Sequence, residues 1–206
     1  MDRQDWVARP GRPLRGRVRV PGDKSVSHRA LMLGALAEGE TRIHGFLEGA
    51  DTVATARILE QMGARTVRRS DGLTVQGPPD GRLDGGLDLD LSDVGELTPV
   101  VAALCLLAGS PSRIRGVAHL RGHETDRLAA LTTEIRRLGG DALELDDGLE
   151  VRPVPLHAAE LRTYHDHRMA MFAAVVGAVV PGVRVQDVAC ADKTFPGFDR
   201  TWAAAV

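Results

Sequence analysis

The stretch Ser112-Arg113-Ile114-Arg115-Gly116, followed by Gly139 and then by Asp147-Gly148-Leu149-Glu150-Val151, decides the fold because the chain contains it twice. The other copy is Thr41-Arg42-Ile43-His44-Gly45, then Gly63, then Asp71-Gly72-Leu73-Thr74-Val75. Self-similarity at this spacing marks a repeated supersecondary unit. In each copy a helical stripe separates the first extended run from a pair of extended runs joined by Asp-Gly. Asp-Gly between alternating apolar residues is among the strongest hairpin signals in sequence. With the segments that precede them, both copies read as strand, helix, strand, helix and hairpin.

Working outward, the first unit predicts a strand over 17–20 and a helix over 25–38 striped by Val26, Ala30, Leu33 and Ala37. A strand over 41–46 and a helix over 51–62 follow, with Ile58, Leu59 and Met62 on one side and Gly63 placed to stop the helix. The hairpin covers 65–69 and 73–76. The second unit predicts a strand over 87–91, an almost wholly apolar helix over 96–108, a strand over 112–117 and a helix over 124–138. Leu128, Leu131, Ile135 and Leu138 stripe that last helix. The third begins at Leu161, with a helix over 167–179, a strand over 183–187 and a final helix over 198–205. It lacks a hairpin, and the segment from Trp6 to Arg9 is expected to supply the missing strand and close three units into a ring. Pro78-Pro79-Asp80-Gly81 and Asp84-Gly85-Gly86 punctuate the chain. Residues 1–77 thus hold the N-terminal strands and first unit, 78–86 a linker, and 87–206 the other two units, together expected to form one lobe.

The bulk numbers narrow the function classes. A chain of 206 residues with 43% apolar and 26% charged residues can bury a real core. Its net charge of −2 offers no broad basic surface for nucleic acid or membrane, so any positive site must be local. Cys105 and Cys190 are too few for a disulfide framework and lack metal-ligand spacing. The start of the chain lacks the apolar core of a signal peptide, and the apolar run 169–180 is too short to span a bilayer. A cytoplasmic protein is expected.

Thr163-Tyr164-His165-Asp166-His167-Arg168-Met169-Ala170-Met171 sets an acid, two imidazoles and a guanidinium at the entrance of an apolar helix. Lys193-Thr194-Phe195-Pro196 brings another cation from a later loop. Helix N-termini present unpaired N–H groups and a positive dipole end, so added cations suit a phosphate or carboxylate ligand. For His165-Asp166-His167 the bland reading is helix capping plus one buried imidazole. Adjacent side chains diverge and no third ligand motif is present, so no metal is expected.

Read together, Pro21-Gly22-Asp23-Lys24-Ser25, Arg121-Gly122-His123-Glu124-Thr125-Asp126-Arg127, residues 163–171 and Lys193-Thr194-Phe195-Pro196 resemble the 5-enolpyruvylshikimate-3-phosphate (EPSP) synthase family. Four separated motifs in the family's order cover nearly the whole chain. The resemblance implies an α/β enolpyruvyl transferase fold, an inside-out α/β barrel, of which this chain's three units would form one lobe. The family has six such units. Its asparagine–glycine–threonine and serine–serine–glutamine segments, the latter gripping shikimate-3-phosphate, have no counterpart here. The break falls at the Pro/Gly-rich linker. His123 stands where many members have lysine, and His165 where asparagine or aspartate is more usual.

By this resemblance, Lys24 contacts both substrates and assists proton transfer, although a lysine at a helix start also reads as a solvated end residue. Ser25 and Arg29 bind the shikimate side. Asp93 is the base for the 5-hydroxyl, or an N-cap before the helix at Glu96, and the roles can coexist. Glu124 is the opposing acid or proton carrier, while Thr125 and Asp126 read as helix-start residues. Arg127, Arg168 and Lys193 form the phosphoenolpyruvate clamp, with His167 beside it. No cofactor is implied.

Two readings compete. In one, the chain transfers enolpyruvyl from phosphoenolpyruvate to the 5-hydroxyl of shikimate-3-phosphate, in aromatic amino acid biosynthesis, as a homodimer. In the other it is a binding lobe that is catalytically impaired or needs a complementary chain. A related transferase acting on a nucleotide sugar is disfavoured because neither cysteine lies in a lid loop. A metal hydrolase is more remote.

Overall fold

The computed structural model describes residues 6–7, 18–19, 24–80 and 82–205. The elements in chain order are β1 (Trp6–Val7), β2 (Val18–Arg19), α1 (Lys24–Leu36), β3 (Glu40–His44), α2 (Ala50–Gln61), β4 (Arg65–Arg69) and β5 (Gly72–Gln76). Then come β6 (Asp88–Asp90), α3 (Thr98–Leu107), β7 (Ser112–Arg115), α4 (Arg127–Arg137), β8 (Asp141–Leu145) and β9 (Gly148–Arg152). The last are β10 (Glu160–Leu161), α5 (His167–Val179), β11 (Arg184–Val185) and α6 (Phe198–Ala205). The chain divides into two compact units, one of residues 12–84 and one of 1–11 with 85–204.

The first unit holds a sheet of order β2-β3-β5-β4, in which β2 runs parallel to β3 and the β4–β5 hairpin is antiparallel to it. Helices α1 and α2 pack on each other and on this sheet. Ile43, Leu73 and Val75 face inward. Arg17, Val20 and the Pro21-Gly22-Asp23 motif lie outside the described residues.

The second unit repeats the arrangement as β6-β7-β9-β8, with β6 parallel to β7 and the hairpin antiparallel. Ile114, Leu149 and Val151 take the buried positions of Ile43, Leu73 and Val75. Even the close contacts recur. A Cβ on Gly72 would strike the Ile43 carbonyl oxygen, and one on Gly148 would strike the Ile114 carbonyl oxygen. Only glycine allows the hairpin to approach the neighbouring strand so closely.

A third, smaller sheet has β11 at its centre, parallel to β10 and antiparallel to β1. Trp6 pairs with Val185 and Val7 with Arg184. The N-terminal segment thus occupies the place that a hairpin strand fills in the other two sheets. Helices α3 and α5 pack together as the core of this unit, each buried on nearly all sides, as their uniformly apolar sequences require. Cys105 is fully buried on α3, and burial pushes its thiol up to about 12. No helix among the described residues is long and apolar enough to cross a membrane.

Two helix starts differ from the sequence expectation by more than one residue. The helix predicted from Glu96 starts instead at Thr98, after a 3₁₀ segment over Ser92–Leu97 broken by Val94 at φ −137°. Pro99, which has no N–H to donate, sits in the first turn and marks where the regular helix begins. The helix predicted from Glu124 starts at Arg127, because the Asp126 carboxylate accepts from the Leu128 and Ala129 amides and caps it there.

Candidate active site

Capping sets up the second unit's charged residues. Asp166 is wholly buried and caps α5, accepting the Arg168 amide on Oδ1 at 2.8 Å. Its other oxygen accepts Arg127 Nε at 2.6 Å. Arg127 opens α4 and is 1% exposed, so a guanidinium is held almost dry and every N–H group needs a partner. Its Nη1 donates to Glu96 Oε2 at 3.0 Å and its Nη2 to Glu124 Oε2 at 2.7 Å. Arg168 donates from Nη1 to the Glu96 carbonyl at 2.8 Å and pairs through Nε with the Glu96 carboxylate. Lys193, at the end of the 3₁₀ segment Val188–Lys193, donates to Glu124 Oε1 at 2.5 Å.

Arg127, Arg168 and Lys193 therefore converge through two shared carboxylates. Glu96 joins Arg127 to Arg168, and Glu124 joins Arg127 to Lys193. Three cations face Glu96, Glu124 and Asp166, so the charges of the network nearly cancel. Burial acts to raise the Glu96 carboxyl, yet Arg168 and then Arg127 outweigh it and hold the group below the ordinary range. The Lys193 hydrogen bond lowers the Glu124 carboxyl against a smaller burial effect. Burial, helped by Arg127, lowers the Arg168 guanidinium despite Glu96.

His167 is buried, and its Nδ1 has no hydrogen-bond partner. That atom lies 3.8 Å from Glu124 Oε1 and 3.9 Å from Asp166 Oδ1. Burial and then Arg168 push its imidazole below the usual range, which favours the neutral form. Among the described residues, Glu124, Asp166 and His167 are the one group whose donor atoms cluster tightly enough to hold a metal. Their oxygens already accept from Arg127, Lys193 and the Arg168 amide, and those cations would repel a dication. The set suits an anion held by the cations better than a metal held by the acids.

Other expected site residues lie elsewhere. Asp93 is exposed in the first turn of its 3₁₀ segment, outside this network, and α3 has no side-chain cap. Glu96, three residues on, is the carboxylate of this segment that faces the cations. None of the sequence motifs points to it, although Pro99 is the signal that moves the helix start past Asp93. His123 Nδ1 lies 3.2 Å from Glu96 Oε1, whereas His165 turns to Asp187 at 2.7 Å and stays outside. In the other unit, Lys24 opens α1 half-exposed and pairs with Asp51 in the first turn of α2. Arg29 is part-buried on α1, and the Ser25 side chain lies outside the described residues.

Cys190 is part-buried, and burial pushes its thiol up to about 11, so neither cysteine is poised as a nucleophile.

Comparison with known proteins bears on the whole arrangement. The chain is 55% identical over 149 residues to a 3-phosphoshikimate 1-carboxyvinyltransferase of Kocuria rhizophila, an alignment covering 72% of this chain and 33% of that protein. A solved EPSP synthase from Acinetobacter baumannii superposes with a TM-score of 0.75 at 21% identity, covering 91% of this chain and 46% of the other. The enolpyruvyl transferase NikO from Streptomyces tendae superposes at 0.68 with 22% identity, over 88% of this chain and 42% of that one. Those two likenesses establish the α/β enolpyruvyl transferase fold. The matched part spans a third of the curated relative's length and under half of the solved chains. The family profile for EPSP synthase (3-phosphoshikimate 1-carboxyvinyltransferase) matches residues 8–84 and 83–202, and the chain belongs to that family.

Proposed function

We propose that the network built on Arg127 binds phosphoenolpyruvate and that the chain takes part in moving its enolpyruvyl group to the 5-hydroxyl of shikimate-3-phosphate. The observation that carries this reading is the convergence of Arg127, Arg168 and Lys193 on Glu96 and Glu124. Arginine suits two-point capture of carboxylate or phosphate, and Lys193 adds a point charge. An incoming anion draws these cations from the carboxylates.

That exchange has a chemical consequence. While Glu96 is paired with two guanidinium groups, its depressed pKa makes it a poor base. Once the ligand takes a share of those cations, Glu96 becomes more basic and can accept the hydroxyl proton. It takes the base role expected of Asp93. The hydroxyl oxygen then bonds to C2 of the enol while Glu124, protonated from solvent once Lys193 turns to the ligand, delivers that proton to the methylene carbon. Glu124 then takes a proton back from the new methyl group, which restores the double bond and breaks the bond from C2 to the phosphate oxygen. The departing phosphate receives the proton held on Glu96. The cations stabilise charge as it shifts onto phosphate. His167 would border the enol. No cofactor enters this scheme.

The purified chain, given both substrates, should release inorganic phosphate at a rate proportional to enzyme. No release from any oligomeric fraction would reject catalysis by this chain alone. A second reading is favoured by the chain's match to under half of its solved relatives. A homodimer, or a complementary chain, would supply the remaining contacts to shikimate-3-phosphate. Calorimetry should then show phosphoenolpyruvate binding to the single chain, with shikimate-3-phosphate binding only to the larger assembly. Tight binding of shikimate-3-phosphate by the monomer would reject this second reading. In either case a cytoplasmic setting fits small, phosphorylated substrates.

A further inference from the structure

One buried carboxylate lies outside the network. Glu134 on α4 is fully buried, and its Oε1 accepts the Tyr164 hydroxyl at 2.7 Å. Its Oε2 accepts the Arg162 amide at 3.0 Å and Arg137 Nε at 3.1 Å. Each oxygen therefore faces the short segment that leads from β10 into α5.

That segment has an uncommon backbone. Tyr164 and His165 are consecutive non-glycine residues in the left-handed region, at φ +55° and +58°. L-residues avoid this region, and such turns persist only where surrounding contacts hold them. Here the Asp166 amide donates to the Thr163 carbonyl at 2.9 Å, Asp187 grips His165 at 2.7 Å, and Glu134 holds residues 162 and 164. The turn ends on Asp166, which accepts Arg127 Nε and caps α5 through the Arg168 amide. Arg127 and Glu134 are seven positions apart on α4, hence on one side of the helix and roughly 10 Å apart along its axis. One helix thus grips the strap on both sides of its left-handed turn.

We infer that Glu134 is a positioning residue for the site: through Tyr164 and the Arg162 amide it sets the strap that delivers Asp166, His167 and Arg168 to Arg127. The inference rests on the proposed role of that network in binding phosphoenolpyruvate. Glu134 acts on the network only through the strap. A purely structural role would lower stability without altering the Asp166 cap or ligand affinity.

The test compares Tyr164→Phe, Glu134→Gln and, as a control on the exposed face of α4, Thr133→Ala, all in the full chain at a temperature where each is folded. Glu134→Gln keeps an acceptor for Tyr164 but turns an amide NH2 toward the Arg162 N–H. Two nuclear magnetic resonance signals report the cap without ligand: Arg127 Nε–H and the Arg168 backbone amide. Both should shift and exchange faster with solvent in the first two variants and not in Thr133→Ala. The phosphoenolpyruvate Kd should rise about tenfold, the scale of one hydrogen bond to a charged group. Lower melting temperatures with both signals and the Kd unchanged would overturn the inference. If the unmodified chain fails to bind phosphoenolpyruvate, the functional reading fails, while the two signals still decide whether Glu134 sets the cap.

Discussion

The sheets β2-β3-β5-β4 and β6-β7-β9-β8 share strand order, strand directions and the glycine at the hairpin, yet the helices that follow their second strands begin very differently. Helix α2 starts after Gly49, whose amide is met by the Thr52 hydroxyl, and places Asp51 beside the half-exposed Lys24. Helix α4 starts with a dry Arg127 bonded to three carboxylates. The same scaffold thus carries a solvated pair in one copy and a buried network in the other. Repetition builds the frame, and the first turn of each helix is where the copies diverge in chemistry.

The sharpest way to break this comparison is to remove the leading cation from each copy. Arg127→Ala leaves the buried Asp166 without its guanidinium, and loss of one member of a buried pair should cost about 3–5 kcal/mol in urea unfolding of the chain. Lys24→Ala should cost less than about 1 kcal/mol, as expected of a solvated pair. Equal losses would mean that the two helix starts are alike after all.

Substitution at the shared glycines tests sameness instead. Gly72→Ala and Gly148→Ala both drive a methyl into a strand carbonyl, at Ile43 and Ile114 respectively. Each should destabilise by about 1–3 kcal/mol, the range for overpacking a filled site. A large effect in one and none in the other would show that the copies tolerate strain differently.

Capping comes next in size. Asp126→Ala should lower stability by about 1 kcal/mol through loss of two amide bonds at α4. Thermal unfolding would read this, and Asp126→Asn should recover most of it.

The smallest effect near neutrality is the pH dependence of the network. The folded-state pKa values of Glu96, Glu124 and His167 are all lowered, so the unfolded chain binds more protons as the medium becomes acid. The stability from these groups is present above their unfolded values. His167 begins to lose its share below about pH 6.5, and the two glutamates lose theirs below about pH 4.3 as their folded values are crossed. Replacing both glutamates with glutamine should flatten the acid limb of a stability–pH curve. An unchanged limb would show that other groups set it.

Much of the frame is legible in the sequence. The limits of α5 and α6 follow their apolar patterns, and Asp-Gly marks both hairpins, because these are short-range effects within a few residues. Trp6–Val7 pairs with Val185 and Arg184 and so adds the strand expected of this segment. Asp93 as a helix cap shows where local reading fails. A carboxylate before an apolar run resembles a helix cap, and only the 3₁₀ segment with Val94 turns Asp93 outward and brings Glu96 to the cations. Glu134 is hidden from such a reading because nothing in α4's own sequence shows that Tyr164 and the Arg162 amide will meet it.

By itself the sequence determined the repeated unit, the family and the cations that gather, since hydrophobic period, turn chemistry and short motifs are properties of neighbouring residues. Only the tertiary structure decided which carboxylates partner those cations and how their pKa values move. Contacts such as Arg127 with Asp166, and Arg168 with Glu96, join residues 39 and 72 positions apart. Their strength depends on burial, which no local stretch of chain specifies.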